Sequence, residues 1–151
     1  LRSYRETTFC GIDFANPLSL QTRERENQNN LVRDVGENGI KICGSFEGGE
    51  GTFCQHVSVQ RNRVSNIGTQ LQPGSGNGIL CATYPKMPSG STNNDIQIIQ
   101  NHIDGTRHSG IFVRDARNLL IRDNDCKRIG VRSNSKQPEI RVEDSQAVKT
   151  D

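Results

Sequence analysis

Three kinds of side chain in this sequence could take part in acid–base chemistry. Elimination or epimerisation beside a carboxylate needs a base, an acid for the leaving oxygen, and a cation that neutralises the carboxylate. Lys41, Arg114 and Arg132 are of the cationic type, and His108 and Tyr84 are proton carriers. Hydrolysis by paired carboxyl groups needs two acids about 5 to 10 Å apart. Asp13, Glu47, Glu50 and Asp115 are the candidate acids. The plainer reading is that all of these are solvated surface charges, since a perturbed pKa cannot be seen in a sequence.

Metal and thiol chemistry have less behind them. His56 and His102 lack partners at ligand spacing and read as polar residues flanking strands. Asp123-Asn124-Asp125 is acidic enough for calcium, but strand alternation would send its neighbours in different directions. No GGxGxDxxx nonapeptide occurs, so calcium has no motif and no cofactor is expected. The cysteines are Cys10, Cys43, Cys54, Cys81 and Cys126, with no CxxC spacing. Cys81 and Cys126 fall on inward strand positions and read as small buried hydrophobes. Cys43 and Cys54 bracket a loop, and whether they are bridged stays open because closeness in sequence does not fix disulfide geometry.

These residues must be held by something, and the composition limits what. The 151 residues are one domain's worth of chain, expected to run 1–151 with irregular ends at 1–8 and 149–151. Only 31% are apolar and Trp is absent, which is lean for a two-layer core but enough for a repeat whose turns bury a few aliphatic side chains each. A net charge of +2 and the lack of a basic run argue against nucleic acid or an anionic membrane as partner. No stretch approaches the roughly 18 apolar residues of a membrane span. The chain begins with Leu and carries no signal peptide at its start, so it is expected to be a processed product or a piece of a longer polypeptide.

The positioning elements show as a repeat. Ser109 to Ile129 holds one copy: Gly110-Ile111 opens a strand, Leu119 and Ile121 make a second, then come Asn124 and the inward Cys126. Val57/Val59, Ile96/Ile98 and Leu119/Ile121 are each followed at the same offset by Asn62, Asn101 and Asn124. The next inward residues, Val64, Ile103 and Cys126, again share one offset. Asn38-Gly39-Ile40 and Asn77-Gly78-Ile79 open the copies before Gly110-Ile111, and Asn30 and Val32 close the first. A fifth copy is weaker, with Gly130-Val131 as first strand, Ile140/Val142 as second, and Ser145 in place of Asn. Alternation within each strand sets apolar residues on one face and polar ones on the other. The pattern predicts an all-β solenoid of about five turns of 21–23 residues, lengthened by corner-loop insertions at 43–55 and 82–94.

Over about residues 9 to 148 this pattern resembles the right-handed parallel β-helix of pectate-lyase-like and tailspike-like proteins. Asn30, Asn62, Asn101 and Asn124 fall where that family stacks asparagines at a tight turn, a position suited to a left-handed backbone. The resemblance implies that corner loops and the outward face of one sheet form a groove for an elongated polymer, usually a polysaccharide. The outward first-strand positions would be Asp13, Lys41, Leu80, Phe112 and Arg132, with Glu47, Glu50, Tyr84 and Lys86 on the loops at their edge. His108 precedes the first strand of the fourth copy, and Arg114 and Asp115 follow it. Asp13, Lys41, His108, Arg114 and Asp115 are thus the catalytic candidates for a lyase, hydrolase or epimerase. Glu47, Glu50, Tyr84, Lys86, Phe112 and Arg132 are the substrate contacts. The polygalacturonase-like set of Asn-Thr-Asp, Asp-Asp, Gly-His-Gly and Arg-Ile-Lys is missing, and Cys10-Gly11-Ile12-Asp13-Phe14 lacks the Tyr, Pro and His of alginate epimerases. The alternative is therefore a non-catalytic stalk or adhesion module. Secretion, the cell surface or a virion is the implied location. Both ends of such a rod would expose strand edges, so the chain should continue, be capped, or associate, for instance as a homotrimer.

Overall fold

The computed structural model describes residues 3–5, 12–13, 25–45, 54–70, 75–84 and 93–150. Among them there is no helix. The chain runs through β1 (Ser3–Arg5), β2 (Ile12–Asp13), β3 (Arg25–Gln28), β4 (Leu31–Val35) and β5 (Ile40–Ser45). It continues with β6 (Gln55–Gln60), β7 (Arg63–Ile67), β8 (Ile79–Tyr84), β9 (Asn93–Ile99) and β10 (His102–Thr106). The last strands are β11 (Ile111–Arg114), β12 (Ala116–Arg122), β13 (Asp125–Ile129), β14 (Ile140–Glu143) and β15 (Gln146–Thr150).

These strands form three parallel sheets of five: sheet A is β1-β4-β7-β10-β13, sheet B is β2-β5-β8-β11-β14, and sheet C is β3-β6-β9-β12-β15. The chain visits A, B and C in the same order throughout, so each strand stacks on its counterpart from the previous pass. That regular stacking is compatible with a β-helix solenoid, and the buried asparagines fit it. Strands β1 and β15 reach into the ends expected to be irregular.

Alternation explains what each pass buries. Ile40, Ile79 and Ile111 stack in one row of sheet B, and Ile42, Cys81 and Val113 in the next. Val57, Ile96 and Leu119 align in sheet C, as do Val32, Val64 and Ile103 in sheet A. All of these are at most 1% exposed. Each such side chain is worth roughly 1.5–3 kcal/mol of burial, which lets a chain this poor in apolar residues hold a core. Toward the last pass the rows open: Cys126, Ile140 and Val142 are only partly buried and Val148 is 37% exposed.

Asparagine ladders close two corners. At the sheet C to sheet A corner, Asn30, Asn62 and Asn101 each donate from Nδ2 to Oδ1 of the next Asn at 3.0 Å, ending on Asn124. The left-handed residues are the ones before them, Asn29, Arg61, Gln100 and Asp123, with φ between 51° and 57°. This corrects the expected placement: the ladder amides satisfy backbone groups while their predecessors turn the chain. At the corner entering sheet B, Asn77 Nδ2 donates to Asn38 Oδ1 at 3.1 Å. The glycines that follow have no room for a side chain. A Cβ on Gly39 would lie 2.5 Å from Val64 Cγ1, and one on Gly78 2.5 Å from Ile103 Cγ2.

The weak fifth copy is also corrected. Ile140 pairs with Ile111, so β14 continues the first-strand sheet B, and β15 supplies the sheet C strand opposite β12. Gly130-Val131 is not a strand; Gly130 has φ +77° and Val131 is 51% exposed. Ser145 lies at the sheet B to sheet C corner, where its Oγ accepts from the Ala116 amide at 3.2 Å. A period of two carries no label saying which sheet it belongs to, so Ile140 and Val142 fit either one.

Candidate functional site

Alternation that turns Ile40, Ile79 and Ile111 inward turns the intervening residues of sheet B outward. The register aligns Asp13 with Lys41, Lys41 with Leu80, Leu80 with Phe112, and Phe112 with Arg141. Arg141, not Arg132, therefore occupies the last position of this row. Arg132 belongs to the segment after β13, where its Nη2 donates to Asn66 Oδ1 at 2.6 Å. Beside the row, Arg114 aligns with Glu143.

The face is not open along its whole length. Leu80 and Ala82 point outward by alternation, yet they are 5% and 0% exposed. The accessible part lies around β11 and β14. There the Arg141 guanidinium sits 5.1 Å from the centroid of the half-buried Phe112 ring. Arg141 Nε donates to Glu143 Oε1 at 2.7 Å, and its Nη2 donates to the same oxygen. The pairing fixes the guanidinium plane over the ring, a contact worth about 0.5–1 kcal/mol at an exposed site.

His108 stands at the corner entering β11. Its amide donates to the Gly76 carbonyl at 3.0 Å, and its carbonyl accepts from Thr106 Oγ1 at 2.7 Å, which hold the backbone. Burial pushes the imidazole pKa below its ordinary value of 6.5, and the nearby charges of Arg107 and Arg141 push it further down. A neutral ring at neutral pH is suited to accept a proton. At the other end of β11, Arg114 Nε lies 3.6 Å from Asp115 Oδ2, with both side chains mostly buried. That is an ion pair rather than a hydrogen bond. Asp115 also turns the corner, with φ 56°.

The structure thus gathers His108, Phe112, Arg114 and Asp115 around β11 and adds Arg141 and Glu143. Asp13 lies three strands from Phe112 in the same sheet, about 14 Å by strand spacing. Lys41 lies between, one strand from Asp13 and two from Phe112. Tyr84 ends β8. Glu47, Glu50 and Lys86 lie outside the described residues, as do the side chains of Asp13, Cys43 and Tyr84. Arg141 and Glu143 were hidden by the misplaced fifth copy. Once β14 is set under β11, Ile140-Arg141-Val142-Glu143 reads against Ile111-Phe112-Val113-Arg114.

A second polar surface lies on the outward face of sheet A. Asp125 Oδ2 is 2.9 Å from His102 Nδ1 and 2.8 Å from Lys127 Nζ, and Arg128 holds both carboxylate oxygens of Asp104 at 2.6 Å. Hydrogen bonding from Arg128 holds the Asp104 carboxyl below its usual range, and that from Lys127 does the same for Asp125. On sheet C, His56 Nδ1 is 3.1 Å from Asp95 Oδ2. These are ordinary polar contacts between stacked or neighbouring residues. Asn124 is committed to the ladder, and among the described residues no three ligand-type side chains cluster. No family model matches this sequence, and no curated protein or solved structure matches it either.

Proposed function

We propose that this chain is a right-handed parallel β-helix of the pectate-lyase-like kind that binds an elongated polysaccharide on the outer face of sheet B. The observation that carries the reading is the Phe112–Arg141 pair in the outward row, with His108 at its side. An aromatic face stacks on a sugar ring, and a guanidinium fixed in a plane presents paired donors to a carboxylate or to vicinal hydroxyls. Lys41 and Arg114 extend the cationic character along the same face. Chemistry on the bound chain falls to His108 as proton acceptor, with the Arg114–Asp115 pair as a positioning element at the other end of β11. The protein acts outside the cell or on a virion in this reading, within a longer polypeptide or a homotrimer.

A non-catalytic stalk is the second reading, and one observation favours it. The charges around β11 are already matched, Arg114 to Asp115 and Arg141 to Glu143, as they would be on a surface that binds nothing. Incubation with a panel of anionic and neutral polysaccharides separates the two. Binding by calorimetry, with or without unsaturated or shortened products, supports the first. Absence of both across the panel leaves the stalk.

A further inference from the structure

Asn38-Gly39 and Asn77-Gly78 occupy the same corner on neighbouring passes of the chain, each just ahead of a sheet B strand. Asn-Gly is a chemically weak dipeptide, because no Cβ hinders attack of the glycine amide nitrogen on the asparagine side-chain carbon. That attack forms a bond from Gly N to Asn Cγ, breaks Cγ–Nδ2, and releases ammonia. Water then opens the resulting succinimide at one carbonyl or the other, leaving Asp or an isoaspartyl linkage. Only water is consumed.

In the folded chain both reacting groups are engaged. The Gly39 amide donates to the Asn77 carbonyl at 3.1 Å, and the Gly78 amide donates to the Ser109 carbonyl at 3.1 Å. Asn38 Oδ1 accepts from the Gly76 amide at 3.2 Å, the Asn77 amide at 3.0 Å and Asn77 Nδ2 at 3.1 Å. Asn38 and Asn77 are 4% and 3% exposed, so water is kept away as well. The fold cannot remove the weakness by changing the glycines, since a Cβ on Gly39 or Gly78 would also lie 2.6 Å from the carbonyl oxygen of Gly78 or Gly110 respectively. Further along the same corner stand Ser109-Gly110 and Pro138-Glu139, which carry no side-chain amide.

We propose that Asn38 and Asn77 form a conformation-gated modification site, inert while β5, β8 and β11 are stacked and reactive once the passes separate. Reaction then makes the opening irreversible. An Asp at position 77 sets a buried carboxylate against Asn38 Oδ1, acceptor against acceptor, with the Nδ2 donor gone. An isoaspartyl linkage lengthens the backbone by one atom and shifts the register that every later row depends on. The pair works as a latch that records whether the solenoid has ever come apart between its second and fourth sheet B strands.

The test follows both residues by peptide mass spectrometry after incubation in mildly alkaline reducing buffer, with and without denaturing urea. Conversion at Asn38 and Asn77, read as a gain of about one dalton with release of ammonia, is expected to be at least about tenfold slower without urea, in proportion to how seldom the passes open. Equal rates in the two buffers overturn the gate. The variants Asn77→Asp and Asn77→Ser test the latch, the second copying the residue that stands at Ser109. Asn77→Asp is expected to lose its urea transition or move it well below that of Asn77→Ser. Equal midpoints for the two variants overturn the latch.

Discussion

The guanidinium of Arg141 lies 5.1 Å from the centroid of the Phe112 ring, one strand along sheet B. The two residues are neighbours only because β14 continues the sheet that contains β11. In sequence they are separated by the whole sheet C and sheet A return. This contact makes the outward row of sheet B an asymmetric surface, apolar and covered at Leu80, aromatic and cationic at the other end.

Replacing Arg141 or Phe112 by Ala tests that surface. Each change is expected to weaken binding of an anionic polysaccharide by about tenfold. Arg141→Ala should cost under about 1 kcal/mol of stability, because the guanidinium is half exposed and its ion pair with Glu143 is screened. Titration calorimetry and urea denaturation on the same samples separate the two effects. A large stability loss in Arg141→Ala would show the residue to be structural.

The central ladder asparagine should matter far more. Asn101 is 1% exposed, accepts from the Asn62 amide and side chain, and donates to Asn124, Val59 and Ile99. Asn101→Ala strands several buried groups at once, for a loss of about 3 kcal/mol or more. Asn124→Ala, at the more open end, is expected to lose less. Urea midpoints of the two variants give the ordering, and equal losses would contradict it.

Two glycines make a paired comparison. Gly78→Ala places a Cβ against Ile103 Cγ2 and the Gly110 carbonyl, whereas a Cβ on Gly105 meets nothing nearer than 3.6 Å but sits at φ +75°. The first change combines overpacking with a backbone clash and should cost about 2–3 kcal/mol or prevent folding. The second carries only the left-handed penalty, about 1–2 kcal/mol. Thermal melts of both variants check the order.

His108 gives the fold a pH dependence of definite sign. Its folded pKa lies below the ordinary 6.5, chiefly because it is buried. As pH falls through about 6.5 the unfolded chain takes up the proton first, so stability is full above that value and declines below it. The urea midpoint should fall between about pH 7.5 and 5.5, and fall less in His108→Gln. Asp104 and Asp125, whose folded values are lowered, contribute in a separate window, losing their stabilisation as pH drops below 3.8.

The strands of sheets B and C were legible because each is marked twice, by an alternating apolar pair and by a fixed neighbour. Ile79 has Gly78 before it, and Ile98 has Asn101 after it. Sheet A was fainter. Its strands show mainly as inward residues such as Val64 and Ile67 after each ladder Asn, and β1 has no ladder Asn ahead of it among the described residues. The last sheet B strand was misassigned because Glu139 stands where Gly110 stands in the previous pass, which removes the mark and leaves a bare alternation. The site inherited that error, so Arg132 took the position that belongs to Arg141. The left-handed corners were placed one residue late for a different reason. Arg61 and Gln100 carry φ 51° and 55° although neither residue type advertises it, and the conformation is imposed by the stacked neighbours rather than by intrinsic preference.

The loosening of the inward rows toward Val148 has a mechanical consequence. Each pass of such a stack is held mainly by the passes on either side, so the energy of peeling is set locally. Among the described residues the pass made of β13, β14 and β15 holds outermost strands of the three sheets, with Cys126, Ile140 and Val142 only partly buried and Val148 37% exposed. Thermal fraying from this side therefore advances inward, with amide exchange faster along β15 than along β8 and β9. From β15, unfolding advances pass by pass as a front.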